Sequence, residues 1–171
     1  MHFKRFLDIK PEISNLFIIF INNKVLYDLN DKTFLLNSSF LNFTNFEFKK
    51  IGIAQDNNIN IYAADLSNEP FSLSNQGYQS LVEYDLRYLM TILSEKDLGL
   101  VGRANQLLHY LNSSKHCGYC GSVMEFDSTE EAMFCKCNNL MIYPKISPCV
   151  LALIKKDNQI LLARNALFPE G

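Results

Sequence analysis

The sequence predicts an α+β protein: a β-rich N-terminal domain, two linker helices, a cysteine-held ribbon, and then the first strands of a further sheet. Three observations carry that expectation. Apolar runs broken by Asn-rich turns fill much of residues 16–66. An apolar period of three to four residues takes over from Leu86 to Leu111. Four of the five cysteines then fall between positions 117 and 137.

Leu16–Ile21 is a continuous apolar run, Asn22-Asn23 reads as a turn, and Val25–Leu29 completes a hairpin. Phe46–Ala54 and Ile59–Leu66 flank Gln55-Asp56-Asn57-Asn58 and predict a second hairpin, since Asn and Asp tolerate the left-handed backbone of tight turns. Phe34–Phe46 mixes apolar residues with Asn, Ser and Thr and receives no assignment. Residues 67–80, with Pro70 and Gly77, read as a connecting loop. Leu86, Leu89, Met90 and Leu93 then share one face of a helix. Ser94 precedes Glu95-Lys96-Asp97 and resembles a helix N-cap with an acid three residues on. Leu98, Val101, Ala104, Leu108 and Leu111 form a second stripe, and core packing is the plain expectation for both. Asn112-Ser113-Ser114 ends the second helix.

The totals narrow the function classes. At 171 residues the chain suits one medium domain or two small ones, and 48% hydrophobic content supplies a core. Thirteen Phe and eight Tyr favour strands, and a net charge of −2 gives no global basic field for nucleic acid. The N-terminus has no apolar segment of signal-peptide form, and no run reaches the roughly 18 apolar residues of a membrane helix. A cytoplasmic protein is expected. In that compartment clustered cysteines bind metal more often than they form disulfides.

Cys117 and Cys120 form a Cys-x-x-Cys knuckle followed by Gly121, a spacing that turns two thiolates toward one tetrahedral ion. Cys135 and Cys137 form a second pair, one residue tighter, after fourteen intervening residues. The two pairs predict a zinc ribbon with Cys117, Cys120, Cys135 and Cys137 as ligands. Val123–Phe126 and Ala132–Phe134 would be the strands between them. A metal-free ribbon is the alternative that the tight second pair leaves open. His116 is either a substitute ligand or, more simply, a surface residue. Cys149, within Cys149-Val150-Leu151-Ala152, is expected to be a buried strand cysteine. A closed four-thiolate site leaves no position for water, so its zinc would be structural. Beyond it, Cys149–Ile154 and Ile160–Ala163 flank Lys155-Lys156-Asp157-Asn158 and predict a last hairpin.

These residues resemble the zinc-ribbon NADH pyrophosphatases, or NAD diphosphatases, of the Nudix hydrolase superfamily. The resemblance runs through Asp85-Leu86-Arg87, the helix Gly102–Leu108, His116-Cys117-Gly118-Tyr119-Cys120-Gly121, Thr129-Glu130, Ala132-Met133-Phe134-Cys135, Ile142–Val150 and Leu161-Leu162-Ala163-Arg164. It is specific over 85–171 and general over 1–84. It implies a β-rich N-terminal domain at 1–84, a helical linker at 85–114, a zinc ribbon at 115–146, and the first hairpin of an incomplete Nudix α/β/α domain at 147–171. It also implies hydrolysis of NAD(H) to nicotinamide mononucleotide and AMP with Mg2+ or Mn2+, NAD-capped RNA as a further substrate in some members, a structural Zn2+ and a homodimer. Direct nucleic-acid binding through a charged surface is not expected. Arg87, Glu130 and Tyr143 match positions near the substrate. A tyrosine face can stack on a base, an arginine can pair with phosphate, and a glutamate can accept from ribose hydroxyls.

Two departures qualify the resemblance. The family's second knuckle is Cys-x-x-Cys, so its fourth ligand position falls on Asn138, and Cys137 lies one residue early. The glutamate-rich Nudix box, whose carboxylates bind the divalent ions, does not occur within residues 1–171. The expectation is a chain truncated before that box and inactive alone. The alternative is a non-catalytic zinc-ribbon module for interaction or dimerisation.

Overall fold

The computed structural model describes residues 15–37, 50–56 (backbone only), 59–68, 79–127 and 129–167. The described chain is mixed α/β, with mostly strands and two helices. Leu16–Ile21 forms β1, Lys24–Asp28 β2, Leu36–Asn37 β3, Lys50–Asp56 β4, Ile59–Asp65 β5 and Leu81–Asp85 β6. These make one sheet in the order β4-β5-β1-β2-β6. β3 pairs with the first two residues of β1, and β2 with its last two.

The β1–β2 hairpin turns where the sequence places it, with Asn22 at φ 49° and Asn23 at φ 64°. Two consecutive left-handed residues match the right-handed twist of the flanking strands. β4 and β5 pair antiparallel as expected, with a register shift between Gly52 and Ala54. Residues 57–58 of the expected turn lie outside the described residues. So do 38–49, most of the unassigned stretch, and 69–78 of the expected loop. The pairing the sequence does not announce is β1 with β5, which run parallel from Leu16↔Ile61 to Phe20↔Asp65. β6, which pairs along all of β2, was also not expected as a strand.

The continuous apolar run of β1 follows from its central position, which buries both faces. Ile18 and Phe20 join Val25, Ile61 and Ala63 on one face. Phe17, Ile19 and Ile21 gather with Leu26, Tyr62, Ala64 and Leu66 on the other. There the Phe17 and Tyr62 rings stack with centroids 5.5 Å apart.

Helix α1 spans Leu86–Ile92 and α2 spans Glu95–Ser113. The Ser94 hydroxyl accepts from the Asp97 N–H at 3.2 Å and donates to the Asp97 carboxylate at 2.8 Å, so the expected cap is in place. Of the expected α2 stripe, Val101, Ala104 and Leu108 are buried against the β1 face carrying Ile18 and Phe20 and Leu111 lies at its edge, whereas Leu98 is only half-buried; Leu100 and Leu107, outside the expected stripe, complete the buried face. From the first stripe Leu89 is buried, while Met90 is 60% exposed and does not enter the core. Helical period alone does not say how wide a face is covered, and α1 buries a single residue.

Tyr110, one turn before the end of α2, leaves the sheet and enters a second, smaller core. Its neighbours there are Cys117, Met124, Met133 and Cys135, with Leu111, Phe126 and Ile142 at the edge. This core belongs to a three-stranded sheet of β7 (Glu125–Asp127), β8 (Ala132–Cys135) and β9 (Leu140–Ile142). Of the two ribbon strands expected from sequence, the first begins two residues later and ends one later, the second begins at Ala132 as expected and runs one residue further, and β9 is additional.

Beyond β9, the last hairpin is shorter than expected. Only β10 (Lys155–Lys156) and β11 (Gln159–Ile160) pair, around Asp157 at φ 51°. Cys149–Ile154 is not strand, and Cys149 is exposed, which corrects the expectation of a buried strand cysteine. Ile146, Val150, Leu151 and Leu162 are exposed along the same stretch. A two-stranded pair is marginal in water, and among the described residues no third strand joins it.

Candidate metal centre and adjoining surface

The first knuckle is a closed loop. His116 and Val123 form a bridge, the Cys117 N–H donates to the Ser122 carbonyl, and the Gly121 N–H donates to the Cys117 carbonyl, both at 2.8 Å. Gly121 sits at φ +74°, the left-handed backbone that the turn requires of it. β8 delivers Cys135 to the open side of this loop. The Sγ atoms of Cys117, Cys120 and Cys135 all lie within 4.8 Å of one another, the only such His, Cys, Asp or Glu group among the described residues. Cys117 and Cys135 are buried and Cys120 is exposed.

Ser122 adds a hydroxyl to this cluster, 2.9 Å from Cys120 Sγ and 3.4 Å from Cys135 Sγ. It holds both thiols below the ordinary cysteine range, with its hydroxyl the largest cause in each case. That favours the thiolate, the form that binds metal. Ser122 was not singled out in the sequence; only its position directly after the Cys-Gly knuckle could have signalled it.

Not all four expected cysteines converge. Cys137 is exposed and does not join the group of three. His116 pairs with Val123 through its backbone and is not among the three residues of the cluster. Asn138 instead places its amide nitrogen 3.5 Å from Cys117 Sγ.

A second set of expected residues meets at the edge of the ribbon. The Asp127 carboxylate accepts from the N–H groups of Thr129 and Glu130 at 2.8 and 2.9 Å, which fixes the turn between β7 and β8. That turn presents Glu130 to Tyr143, whose phenol donates to Glu130 Oε2 at 3.2 Å. Tyr143 is 49% exposed. Its backbone neighbours are pinned to α2. Tyr110 donates to the Ile142 carbonyl at 2.5 Å, Gln106 donates to the Lys145 carbonyl at 2.6 Å, and Gln106 accepts from Arg103 at 2.7 Å. Gln106 and Tyr110 are four residues apart and share a helix face. The Tyr110 hydroxyl also accepts from the Met133 N–H at 2.7 Å. Burial, the largest cause, raises its pKa, so it remains a neutral donor at neutral pH. Arg87 stands exposed on α1, with no hydrogen bond or ion pair to Glu130 or Tyr143.

The Tyr143 phenol is raised above the ordinary tyrosine range, first by its hydrogen bond to Glu130, then by burial and by the charges of Glu130 and Asp127. A raised phenol pKa means that the contact is intact below the unfolded value. It is lost as pH rises through the folded value. Glu130→Gln is expected to bring the Tyr143 midpoint down, as followed by NMR titration of ring-labelled tyrosine. An unmoved midpoint would show that Glu130 does not hold the phenol.

No family model matches the chain. Over 91 residues it is 37% identical to a protein named NAD-capped RNA hydrolase NudC from Escherichia coli O157:H7, covering 52% of this chain and 35% of that protein. Over 72 residues it is 42% identical to proteins of the same name from Escherichia coli K12 / DH10B and Shigella boydii serotype 18, covering 42% of this chain and 28% of theirs. The chain is therefore similar to NAD-capped RNA hydrolases over part of its length and matches about a third of theirs.

Proposed function

We propose that residues 1–171 carry the structural metal ribbon and part of the nucleotide-facing surface of a Nudix-type NAD(H) diphosphatase. The supporting observation is the Tyr143–Glu130 contact. An exposed tyrosine face and a carboxylate meet at 3.2 Å on a backbone anchored to α2. Such a pair suits a base and a ribose: the ring stacks and the carboxylate accepts from hydroxyls. The similarity to NAD-capped RNA hydrolases supports NAD(H) or an NAD-capped RNA end as the substrate class. Arg87 remains a candidate phosphate partner on the same reading, and the assembly is a cytoplasmic homodimer. Among the described residues no helix is long and apolar enough to cross a membrane.

Two metals enter this reading differently. Soft thiolates suit zinc, and Cys117, Cys120 and Cys135 lie close enough to share one ion. Zinc there would fasten the knuckle to β8 and do no chemistry. Magnesium or manganese would polarise the pyrophosphate, and that role needs several carboxylates together. Glu170 is the only carboxylate after Asp157. Residues 1–171 are therefore expected to bind the nucleotide without cleaving it.

The test uses the purified 171-residue chain with NADH and Mg2+ or Mn2+. No AMP release is expected. NADH binding, followed by NMR, should weaken about tenfold in Tyr143→Ala, within the ~1–3 kcal/mol of one base–aromatic stack. AMP release abolished by a substitution within the chain would overturn the inactivity. Unchanged NADH binding in Tyr143→Ala, or no binding at all, would remove the nucleotide-facing role.

A further inference from the structure

The ribbon's two turns have the same plan. In the first, Cys117 and Cys120 are followed by Gly121 at φ +74°. In the second, Cys135 is followed three residues later by Asn138 and then by Asn139 at φ 52°. The left-handed residue that closes each turn fixes its register. By that register Asn138, not Cys137, stands where Cys120 stands in the first turn.

Distances agree with the register. A tetrahedral zinc, with Zn–S about 2.3 Å and Zn–O about 2.0–2.2 Å, sets sulfur–sulfur edges near ~3.8 Å and sulfur–oxygen edges near ~3.6 Å. Cys120 Sγ and Cys135 Sγ are 3.5 Å apart. The Asn138 amide group stands 3.5 Å from Cys117 Sγ. A half-turn about its terminal bond exchanges nitrogen for oxygen at that point. The Ser122 hydroxyl, 2.9 Å from Cys120 Sγ, is too near for a tetrahedral corner; with a metal bound, its one proton would go to one thiolate at a time.

We propose that the metal centre of this chain is a three-thiolate site of Cys117, Cys120 and Cys135, closed at its fourth corner by the carboxamide oxygen of Asn138, with Cys137 outside the coordination sphere. The inference rests on the metal reading above and makes it narrower. An amide oxygen is a harder and neutral donor, so the site holds zinc less tightly than four thiolates would. It also carries one negative charge less. Because Asn138 lies at the surface, its bond to the metal is the one most readily exchanged.

The test measures zinc affinity by competition with a chromophoric chelator, and counts thiolates by the charge-transfer intensity of the cobalt-substituted chain. The wild type is expected to bind one metal with the intensity of three thiolates. Cys137→Ser is expected to leave both readings unchanged. Asn138→Cys should add a fourth thiolate's intensity and raise affinity by at least the ~10–100-fold that disturbing an outer partner costs. Asn138→Ala should lower affinity, with near-ultraviolet circular dichroism confirming that it is folded. Loss of metal or of thiolate intensity in Cys137→Ser would make Cys137 the ligand and overturn the inference alone. Unchanged affinity in Asn138→Ala would overturn it too. Absence of metal from the wild type would overturn the metal reading with it.

Discussion

Cys135→Ser is expected to release the metal and unfold the ribbon while the larger sheet remains. Cys135 has two roles. Its sulfur belongs to the three-thiolate group, and its side chain has no exposed surface, packed with Tyr110, Met124 and Met133. Serine nearly keeps the volume but removes the thiolate, so a large effect reports ligation more than packing. Structural zinc contributes about 10–16 kcal/mol in apparent binding free energy in small zinc domains, and most of that is folding free energy. The ribbon core of five buried residues is too small to fold without such help. Metal analysis should find less than stoichiometric zinc in the variant. Hydrogen exchange should show lost protection over 116–142, with β1 and β5 still protected. Full zinc occupancy would remove Cys135 from the ligand set. A metal-free variant with a protected ribbon would show that the apolar core suffices.

Tyr110→Ala is expected to be the second-largest effect, about 3–5 kcal/mol from loss of a buried ring. Tyr110→Phe separates the phenol from the ring. It withdraws the hydroxyl from the Met133 N–H and from the Ile142 carbonyl, which are cross-strand partners on β8 and β9. Removing both hydrogen bonds and leaving their backbone partners unsatisfied should cost about 2–4 kcal/mol in urea unfolding. A loss below ~0.5 kcal/mol in Tyr110→Phe would mean that water or the ladder takes the place of the phenol. Because the same phenol joins α2 to β9, the variant should also broaden the NMR signals of Tyr143, whose backbone neighbour is Ile142.

The features legible in the sequence were local ones. The Asn22-Asn23 turn, the Ser94 cap and the Cys117–Gly121 knuckle each depend on a few adjacent residues, and the structure has all three. The α2 stripe was legible in part: Val101, Ala104 and Leu108 are buried as the helical period says, while Leu100, Leu107 and Tyr110 widen the buried face beyond it. The parallel β1–β5 pair was not legible, since strand partners distant in sequence leave no local mark. β6 is hidden in the sequence because Leu81–Asp85 runs directly into α1 without a Gly or Pro to separate them. The grouping of Glu130 with Tyr143 came from resemblance, and the Asp127 turn that arranges it was not foreseen. At the cysteine cluster, residue type pointed to four thiols; the structure gathers three of them, with the Asn138 amide 3.5 Å from Cys117 Sγ. Spacing along the chain does not by itself say which residue of a turn faces the cluster.

The parallel pairing of β1 with β5 has a consequence for how the chain is made. Leu16 meets Ile61 only after the intervening chain has been gathered, and the entropy of closing that loop must be met before the ladder returns anything. The face of β1 carrying Ile18 and Phe20 waits longer still, until Leu100 to Leu108 of α2 have been synthesised. The ribbon has no such delay, because Phe126 pairs with Met133 and Phe134 with Met141. High contact order in one half and low contact order in the other split the folding timescale. On the ribosome β1 emerges well before β5 and α2, the elements that cover it. The nascent chain is therefore most prone to aggregate before α2 leaves the exit tunnel.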